Sequence, residues 1–205
     1  MDNTVGSTNT DFCNFSNSVS DAYISGLWCA DGYHRTSSIG LSNTDKALIK
    51  RFSEFLLTLL PKERLKLRIY KPDNYKRRTQ AYHIYVNCRP LLRKFKNLKE
   101  NIATSIKYSH IFPYLAGRFD GDGSVANDFY SDCRIVYGNL SEAKQDFSLM
   151  ENVGFKKMKI YHYKTAKTFC LYVSRLETIY FLSNIYPYSS KLQKSVFVPR
   201  RDLVI

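Results

Sequence analysis

The sequence predicts a mixed α/β (α+β) protein built from two αββαββα repeats. Two similar nine-residue runs, 24–32 and 115–123, each end in Asp-Gly, and their last aspartates, Asp31 and Asp122, lie 91 positions apart. Helix-like and strand-like segments then follow both runs in the same order. This order indicates an internal duplication built around a carboxylate.

The duplication divides the chain into a first repeat at 21–105 and a second repeat at 113–205, joined by a linker at 106–112. Residues 1–20 are polar and rich in Ser, Asn, Thr and Asp, so we expect a flexible N-terminal tail. A length of 205 residues is compatible with one domain or with two small ones.

Small residues recur at every fourth position along both predicted motif helices: Ala22, Gly26 and Ala30 in the first, Gly117 and Gly121 in the second. On a helix they form one stripe without bulk, which allows two helix backbones to approach closely. We therefore predict that the two motif helices pack against each other.

The ends of these helices follow from capping residues. Ser20 is a candidate N-cap for a helix that begins at Asp21, and Pro113 suits the start of the second helix. Gly32 and Gly123 favour C-termini with a left-handed residue.

The remaining elements of the first repeat follow from hydrophobic periodicity and from residues that end helices and strands. They are a strand at 38–42, an amphipathic helix at 45–60 ended by a proline, strands at 62–71 and 79–87, and a basic helix at 90–101.

The second repeat has the same order. We predict a strand at 133–139, a helix from Ser141 to Met150 ended by Gly154, strands at 155–164 and 168–174, and a helix at 176–185.

Both motif aspartates fall at the negative end of a helix dipole, where a carboxylate is disfavoured by about 0.3–1 kcal/mol. Packing the two helices together would bring Asp31 and Asp122 close, and their repulsion would raise both pKa values. A divalent cation between them would offset this cost, and hard oxygen ligands favour Mg²⁺, with Mn²⁺ as the alternative.

Lysine and arginine total 31 against 18 acidic residues, a net charge of +13. This balance favours a polyanionic partner, most simply nucleic acid, over the alternative of an ordinary solvated basic surface.

Five scattered cysteines without a CxxC pair indicate neither a zinc site nor a disulfide framework and favour a reduced intracellular compartment. With no signal peptide and no membrane-length apolar run, we expect a soluble protein with no membrane partner.

Both runs resemble the LAGLIDADG motif that names a family of homing endonucleases, and two copies in one chain resemble its single-chain members. The second copy is similar throughout, whereas the first departs at Trp28 and at Cys29, the sixth position, where the pattern has an acid. The metal-binding acid of the family is the eighth residue, which is Asp31 and Asp122 here. The resemblance implies a pseudo-twofold axis with the motif helices at the centre and antiparallel sheets that form a DNA-binding saddle.

The resemblance also implies a site-specific endonuclease that acts as a monomer and makes a staggered double-strand break in a long, asymmetric DNA target. Each acid would hold one metal ion, helped by the backbone carbonyls of Ala30 and Gly121. Lys191 suits the family's basic residue near the attacking water, with Lys107 as its counterpart in the first repeat, and Asp45 suits a water-positioning residue.

Strand alternation identifies candidate DNA-binding residues. One face of each hairpin carries cations and aromatic or imidazole rings, as suits a ribbon in a major groove, and the first hairpin tip carries a basic triplet suited to phosphates. These residues are Arg64, Lys66, Arg68, Tyr70, Lys76, Arg77, Arg78, His83 and Tyr85 in the first repeat, and Lys157, Lys159, Tyr161 and Tyr163 in the second. For any one of them, an ordinary solvated sheet face remains an alternative.

Two other functional classes remain open. Relatives of this fold serve as maturases that assist intron RNA splicing or as DNA-binding regulators without cleavage, roles that do not need both motif acids. A purely structural role for the duplicated helices is disfavoured by the net charge of +13.

Overall fold

The computed structural model describes residues 18–71, 80–125, 132–195 and 197–199. Each repeat has the element order αββαββα, followed by one short helix, which confirms the predicted order. The first repeat contains α1 (Val19–Asp31), β1 (Gly32–Arg35), β2 (Ser38–Asn43), α2 (Lys46–Leu59), β3 (Lys66–Tyr70), β4 (Ala81–Asn87), α3 (Arg89–Glu100) and α4 (Ile102–Ser105). The second contains α5 (Ile111–Asp122), β5 (Gly123–Val125), β6 (Cys133–Tyr137), α6 (Leu140–Asn152), β7 (Met158–Tyr163), β8 (Thr168–Val173), α7 (Arg175–Ile185) and α8 (Ser190–Gln193).

Three helices begin earlier than the sequence predicts. Ser18, rather than Ser20, caps α1, because its hydroxyl accepts from the backbone N–H of Asp21 at 3.0 Å. Asn139 caps α6 in place of Ser141, and α5 starts two residues before Pro113. Several polar residues near each start can act as a cap, and the tertiary path of the chain decides which one does.

Two four-stranded antiparallel sheets have equivalent orders, β1-β2-β4-β3 and β5-β6-β8-β7. The predicted αββαββα order includes a strand directly after each motif helix, but the sequence pattern did not locate these two short strands, β1 and β5. One face of each sheet packs against helices and supplies buried residues such as Ile39, Leu41, Ile135 and Leu171. These belong to one hydrophobic core cluster that spans both repeats.

The edge strand β3 differs from the expected pattern. Apolar and polar residues alternate along it, but its apolar residues Leu67 and Ile69 are 56% and 52% exposed. Helix α2 packs on β2 and β4, and the edge strand β3 lies outside the part of the sheet that this helix covers. Alternation therefore identified the two faces of this strand but not how far the side chains of each face are buried.

Candidate active site

Helices α1 and α5 cross at two glycines. A Cβ atom on Gly26 would lie 1.9 Å from the carbonyl oxygen of Tyr114, and one on Gly117 would lie 2.0 Å from that of Tyr23. Any side chain at either glycine would collide with backbone, which cannot move aside cheaply. The predicted close packing along the small-residue stripe is confirmed.

Close packing continues to the C-terminal ends of both helices. A Cβ on Gly121 would lie 2.4 Å from the Cβ of Ala30 and 2.9 Å from Oδ2 of Asp31, so the Asp31 carboxylate rests against the last turn of α5. Burial raises the pKa of Asp31 to about 6, and the charge of Asp122 adds to the effect. Burial also raises the pKa of Asp122, against the opposing charges of Arg118 and Lys191.

The glycines after the aspartates have a different role from the one predicted. Gly32 and Gly123 adopt extended conformations, with φ of −61° and −83°, rather than left-handed ones. A Cβ on Gly32 would lie 2.2 Å from the carbonyl oxygen of Trp28, and one on Gly123 would lie 2.2 Å from the ring of Phe119. Glycine is needed here because the aromatic residue four positions earlier closes over the helix end.

Asp31 lines a cavity of about 490 Å³ together with Asn43, Asp45, Gly121 and Lys191. Asn43 ends β2 and donates from Nδ2 to Oδ2 of Asp31 at 2.7 Å. Its own Oδ1 accepts from the backbone N–H of Asp45 at 2.7 Å. The amide is therefore held at both ends, and it fixes one orientation of the Asp31 carboxylate.

Asp45 is the N-cap of α2, where its Oδ1 accepts from the N–H of Ala47 at 2.8 Å. Its Oδ2 forms an ion pair with Lys194 at 2.8 Å. Burial alone would raise the pKa of Asp45, but the bonds from Lys194 and Ala47 outweigh it and lower that pKa. The structure places this residue in the cavity with both carboxylate oxygens engaged.

Lys191 reaches the end of α5 from the C-terminal segment. Its Nζ donates to the carbonyl oxygens of Phe119 at 3.0 Å and Gly123 at 2.8 Å. Burial lowers the pKa of Lys191, whereas the charges of Asp120, Asp31 and Asp122 raise it. An ammonium group has three N–H donors, so one remains for a ligand in the cavity.

Asp120, the sixth residue of the second motif, belongs to the candidate site, and the sequence reasoning missed it. Its buried carboxylate accepts from the hydroxyls of Tyr23, at 2.6 Å, and Ser189. It also accepts from the backbone N–H groups of Ser190 at 2.6 Å and Lys191 at 3.2 Å. Asp120 therefore fixes the start of α8 and, through it, the position of the Lys191 side chain.

A family model described as a LAGLIDADG-like domain matches residues 18–102. Among solved structures, the homing endonuclease I-DmoI in complex with DNA and Mn aligns with a TM-score of 0.63 at 19% identity, over 84% of this chain and 97% of I-DmoI. The chain has the double-motif LAGLIDADG fold. Full-length DUF199/WhiA from Thermatoga maritima aligns with a TM-score of 0.58 at 14% identity, over 91% of this chain and 64% of WhiA. A search of curated proteins found no match.

The end of the second LAGLIDADG helix differs in its surroundings from the end of the first. Gly32 pairs with Leu41 and Gly123 pairs with Ile135, so the strand registers make Tyr137 the counterpart of Asn43. The Tyr137 hydroxyl donates to Asp146 at 2.9 Å. Within the described ranges, no side chain donates a hydrogen bond to Asp122.

The predicted basic residue of the first LAGLIDADG repeat needs correction. Lys107 is exposed and precedes α5, a helix of 12 residues that is about 17 Å long, so it lies at the end opposite Asp122. Lys99 takes the place expected of a counterpart to Lys191. Its Nζ donates to the carbonyl oxygen of Cys29 at 3.0 Å, and its charge acts on Asp122.

Five of the nine predicted DNA-binding residues of the first LAGLIDADG repeat, those on β3 and β4, share the sheet face that points away from the helices. In register across β3 and β4, Lys66 pairs with Tyr85 and Arg68 pairs with His83. Tyr70 lines the same face, and Tyr33 and Arg35 of β1 extend it; the sequence reasoning missed both of these. Arg64 instead donates to the carbonyl oxygen of Asn87, and Lys76, Arg77 and Arg78 lie outside the described residues.

The second sheet has a corresponding face of lysines and tyrosines. Lys157, Lys159, Tyr161 and Tyr163 line a cavity of about 590 Å³ with Tyr172. The hydroxyls of Tyr163 and Tyr172 lie 2.7 Å apart, and the ring centroids of Tyr161 and Tyr172 lie 5.1 Å apart. The structure thus groups all four predicted residues on one surface.

Oxygen atoms at the paired helix ends suit a divalent cation. The described residues contain no group of three or more His, Cys, Asp and Glu side chains that could hold a metal ion by themselves. Mg²⁺ sites in nucleotide- and DNA-processing proteins commonly use one or two carboxylates and take further oxygens from substrate phosphates and water. Asp31 and Asp122, with raised pKa values, and the carbonyls of Ala30 and Gly121 in the last helical turns supply such a set.

Among the described helices, none is long and apolar enough to cross a membrane.

Proposed function

We propose that the protein is a homing-type DNA endonuclease that hydrolyses one phosphodiester bond in each strand of a specific, asymmetric duplex and leaves a staggered break. The observation that carries this proposal is the meeting of Asp31 and Asp122 at the ends of two helices that touch backbone to backbone. Because both motifs belong to one chain, a monomer supplies the whole site.

The charge distribution supports binding of double-stranded DNA. The chain has a net charge of +13, and both open sheet faces present basic and aromatic side chains. Twisted antiparallel strands fit a major groove, where Arg, Lys and His can contact base edges. Ser42 and Ala81 belong to the open face of the first sheet and also line the cavity with Asp31, so a duplex on that face extends to the acid.

Hydrolysis joins a water oxygen to phosphorus and breaks one P–O ester bond, and the leaving oxygen takes up a proton. A divalent cation, when bound, neutralises phosphate charge and lowers the pKa of water. Asp31 and Asp122, helped by the backbone carbonyls of Ala30 and Gly121, would each hold one such cation. Asn43 keeps Asp31 in one orientation, and the free N–H of Lys191 can donate to a phosphate oxygen.

One experiment tests the proposal directly. The protein is incubated with a randomised duplex library and Mg²⁺, and the cleaved ends are sequenced. We expect one consensus with cuts at a constant offset between the strands. Binding of a consensus duplex without any cleavage in Mg²⁺ or Mn²⁺ would contradict the proposal.

DNA binding without cleavage is the second candidate, and the first motif favours it. Cys29 stands where the second motif has Asp120, so the two halves do not share the same polar contacts. WhiA, another protein with this fold, aligns over 91% of this chain. The same library distinguishes the two functions, because a binding protein enriches a consensus that stays intact. If the partner is intron RNA rather than DNA, the protein should retain structured RNA and leave duplex DNA unbound.

A further inference from the structure

On the basis of the endonuclease function proposed above, we infer that Arg51 is a positioning residue for Lys191. Arg51 belongs to α2 of the first repeat, whereas Lys191 belongs to α8 of the second. Arg51 is not one of the described residues that line the cavity with Asp31, so it acts on the site from outside. It fixes the chain segment that brings the Lys191 ammonium to the end of α5.

This segment is too short to hold its own conformation. Helix α8 has four residues, Ser190–Gln193, and thus about one turn. A single turn is unstable in water, because ordering its backbone forms little more than one hydrogen bond. The lysine side chain adds a flexible four-carbon stem. The position of the Lys191 ammonium therefore depends on contacts from other elements.

Arg51 supplies such contacts on both sides of Ser189. Its Nη1 donates to the carbonyl oxygen of Tyr188 at 2.9 Å and to the hydroxyl of Ser190 at 3.1 Å. The guanidinium carbon lies 3.4 Å from the centroid of the Tyr23 ring, so the guanidinium stacks on that ring. Stacking fixes the plane of the guanidinium, and its N–H groups then point in defined directions.

The ring under Arg51 belongs to the same hydrogen-bond network. Tyr23 is fully buried and donates to Oδ2 of Asp120 at 2.6 Å. Asp120 accepts from the backbone N–H groups of Ser190 and Lys191. Arg51 therefore acts on the segment directly and also through Tyr23 and Asp120.

The end point of these contacts is the ammonium of Lys191. Its Nζ donates to the carbonyl oxygens of Phe119 at 3.0 Å and Gly123 at 2.8 Å. Without Arg51, the backbone that carries Lys191 would lose two hydrogen bonds and could shift relative to α5. A displacement of about 1 Å is enough to slow a reaction strongly, even when the altered residue is far from the chemistry.

Helix α2 makes a second polar contact with the same segment, the ion pair of Asp45 with Lys194 at 2.8 Å. The two side chains are 39% and 53% exposed, and ion pairs on the surface contribute little to stability. Arg51 stacks on a buried ring and binds the segment at two atoms, so we assign the positioning role to Arg51 rather than to this ion pair.

The duplication gives an independent argument for this role. Gln145 of α6 and Arg51 of α2 each lie six residues after the N-cap of their helix. The Nε2 of Gln145 donates to the carbonyl oxygen of Lys99 at 3.5 Å, and its Oε1 accepts from the N–H of Ala103 at 3.3 Å. Each repeat thus uses the same helix position to bind the chain segment next to a lysine of the site.

Single-turnover cleavage tests the inference. A duplex selected by binding in EDTA is cut by several excess concentrations of protein after addition of Mg²⁺, which separates the maximal rate of double-strand cleavage from the half-saturating concentration. Arg51→Met keeps an aliphatic stem but removes the planar donor group. It should lower the maximal rate roughly 10- to 100-fold and leave half-saturation unchanged. Lys50→Met removes an exposed cation from the same helix and is the matched control. Equal maximal rates in these two variants would overturn the inference.

A double variant shows whether Arg51 acts through Lys191. Adding Arg51→Met to Lys191→Met should slow cleavage no further, because the positioned ammonium is already absent. Losses that multiply would show that Arg51 acts separately and would overturn the inference. If Arg51→Met does not fold, Ser190→Ala takes its place, since it removes one of the two acceptors. Ser190→Ala should slow the wild type but not Lys191→Met, and slowing of both would overturn the inference.

The reactivity of the Lys191 amine gives a readout that does not depend on cleavage. The protein, without DNA or metal, is labelled with limiting acetic anhydride, and mass spectrometry compares Lys191 with the exposed Lys50 of the same chain. We expect labelling of Lys191 to rise about fivefold in Arg51→Met, because the two carbonyls no longer hold its ammonium. Unchanged or slower labelling would overturn the inference whether or not DNA is cut. Faster labelling, with a wild type that binds its duplex but never cuts it, would refute the endonuclease function alone.

Discussion

Asp31→Asn should stabilise the free protein at neutral pH. Burial and the charge of Asp122 raise the pKa of Asp31 from 3.8 to about 6. Each pKa unit corresponds to about 1.4 kcal/mol, so ionising this carboxylate costs the fold up to about 3 kcal/mol. The Asn43 contact already offsets part of the cost of burying Asp31, and asparagine can still accept that bond through its own Oδ1.

The sign of the effect follows from linkage. Because the pKa is higher in the folded protein than in the unfolded chain, the folded state retains the proton better, and stability falls as the pH rises from about 4 to about 6. Above about pH 6 the wild type bears the full cost of a buried, ionised Asp31 carboxylate, whereas the neutral asparagine of the variant bears no such cost. Below about pH 4 the two proteins should converge.

We expect Asp31→Asn to gain about 1–2 kcal/mol at pH 7.5, or about 2–8 °C in melting temperature for a chain of this size. Thermal unfolding followed by circular dichroism at pH 7.5 and pH 4, without metal or DNA, measures this. Glu54→Gln, an exposed acid on α2, is the matched control and should shift stability by less than about 0.5 kcal/mol. A melting temperature at pH 7.5 equal to or below that of the wild type would refute the proposed charge penalty.

Three further predictions concern packing, the buried charges and DNA binding. Gly117→Leu should cost at least about 3 kcal/mol, because even a Cβ would lie 2.0 Å from the Tyr23 carbonyl oxygen, and an unchanged melting temperature would contradict this. Arg118→Met should cost about 3–5 kcal/mol, because it leaves Asp146 buried without a cation and Glu142 paired with Lys99 alone; urea denaturation measures this loss, and a change below 1 kcal/mol would count against the ion network. DNA affinity should fall about 10³-fold or more between 50 and 200 mM salt, given the basic sheet faces, and a flat dependence by fluorescence anisotropy would exclude binding dominated by phosphates.

Local sequence signals were sufficient where a single helix or strand determines the outcome. The spacing of Gly26 and Gly117 predicted backbone contact because helical periodicity places residues four apart on one face. Strand alternation placed Arg68 and His83 on one sheet face because side chains of paired strands share their orientation across the ladder. Asp31 and Asp122 were singled out as candidates because a carboxylate at a helix C-terminus is unfavourable without a compensating ligand, and the structure places both at helix ends.

The sequence patterns failed for residues whose contact partners are distant in the chain. Lys99 rather than Lys107 approaches the helix ends, because α3 returns its last turn to the site while Lys107 already precedes the next helix. Asn43 carries no motif, and its role follows from the register that brings the end of β2 to Asp31. One local signal also failed: Gly32 was expected to be left-handed, but it is extended, and the ring of Trp28, four residues earlier, closes over it.

The sequence by itself determined the duplication, the close crossing of its two helices and the pair of carboxylates at their ends, because each depends on spacing within one segment. Only the tertiary structure decided that these ends are unequal. Asp120 and Cys29 occupy the same motif position, yet their consequences depend on Tyr23, Lys191 and Asp146, which reach them from other elements. Hydrogen bonds and charges act over a few ångströms in space, whatever the separation along the chain.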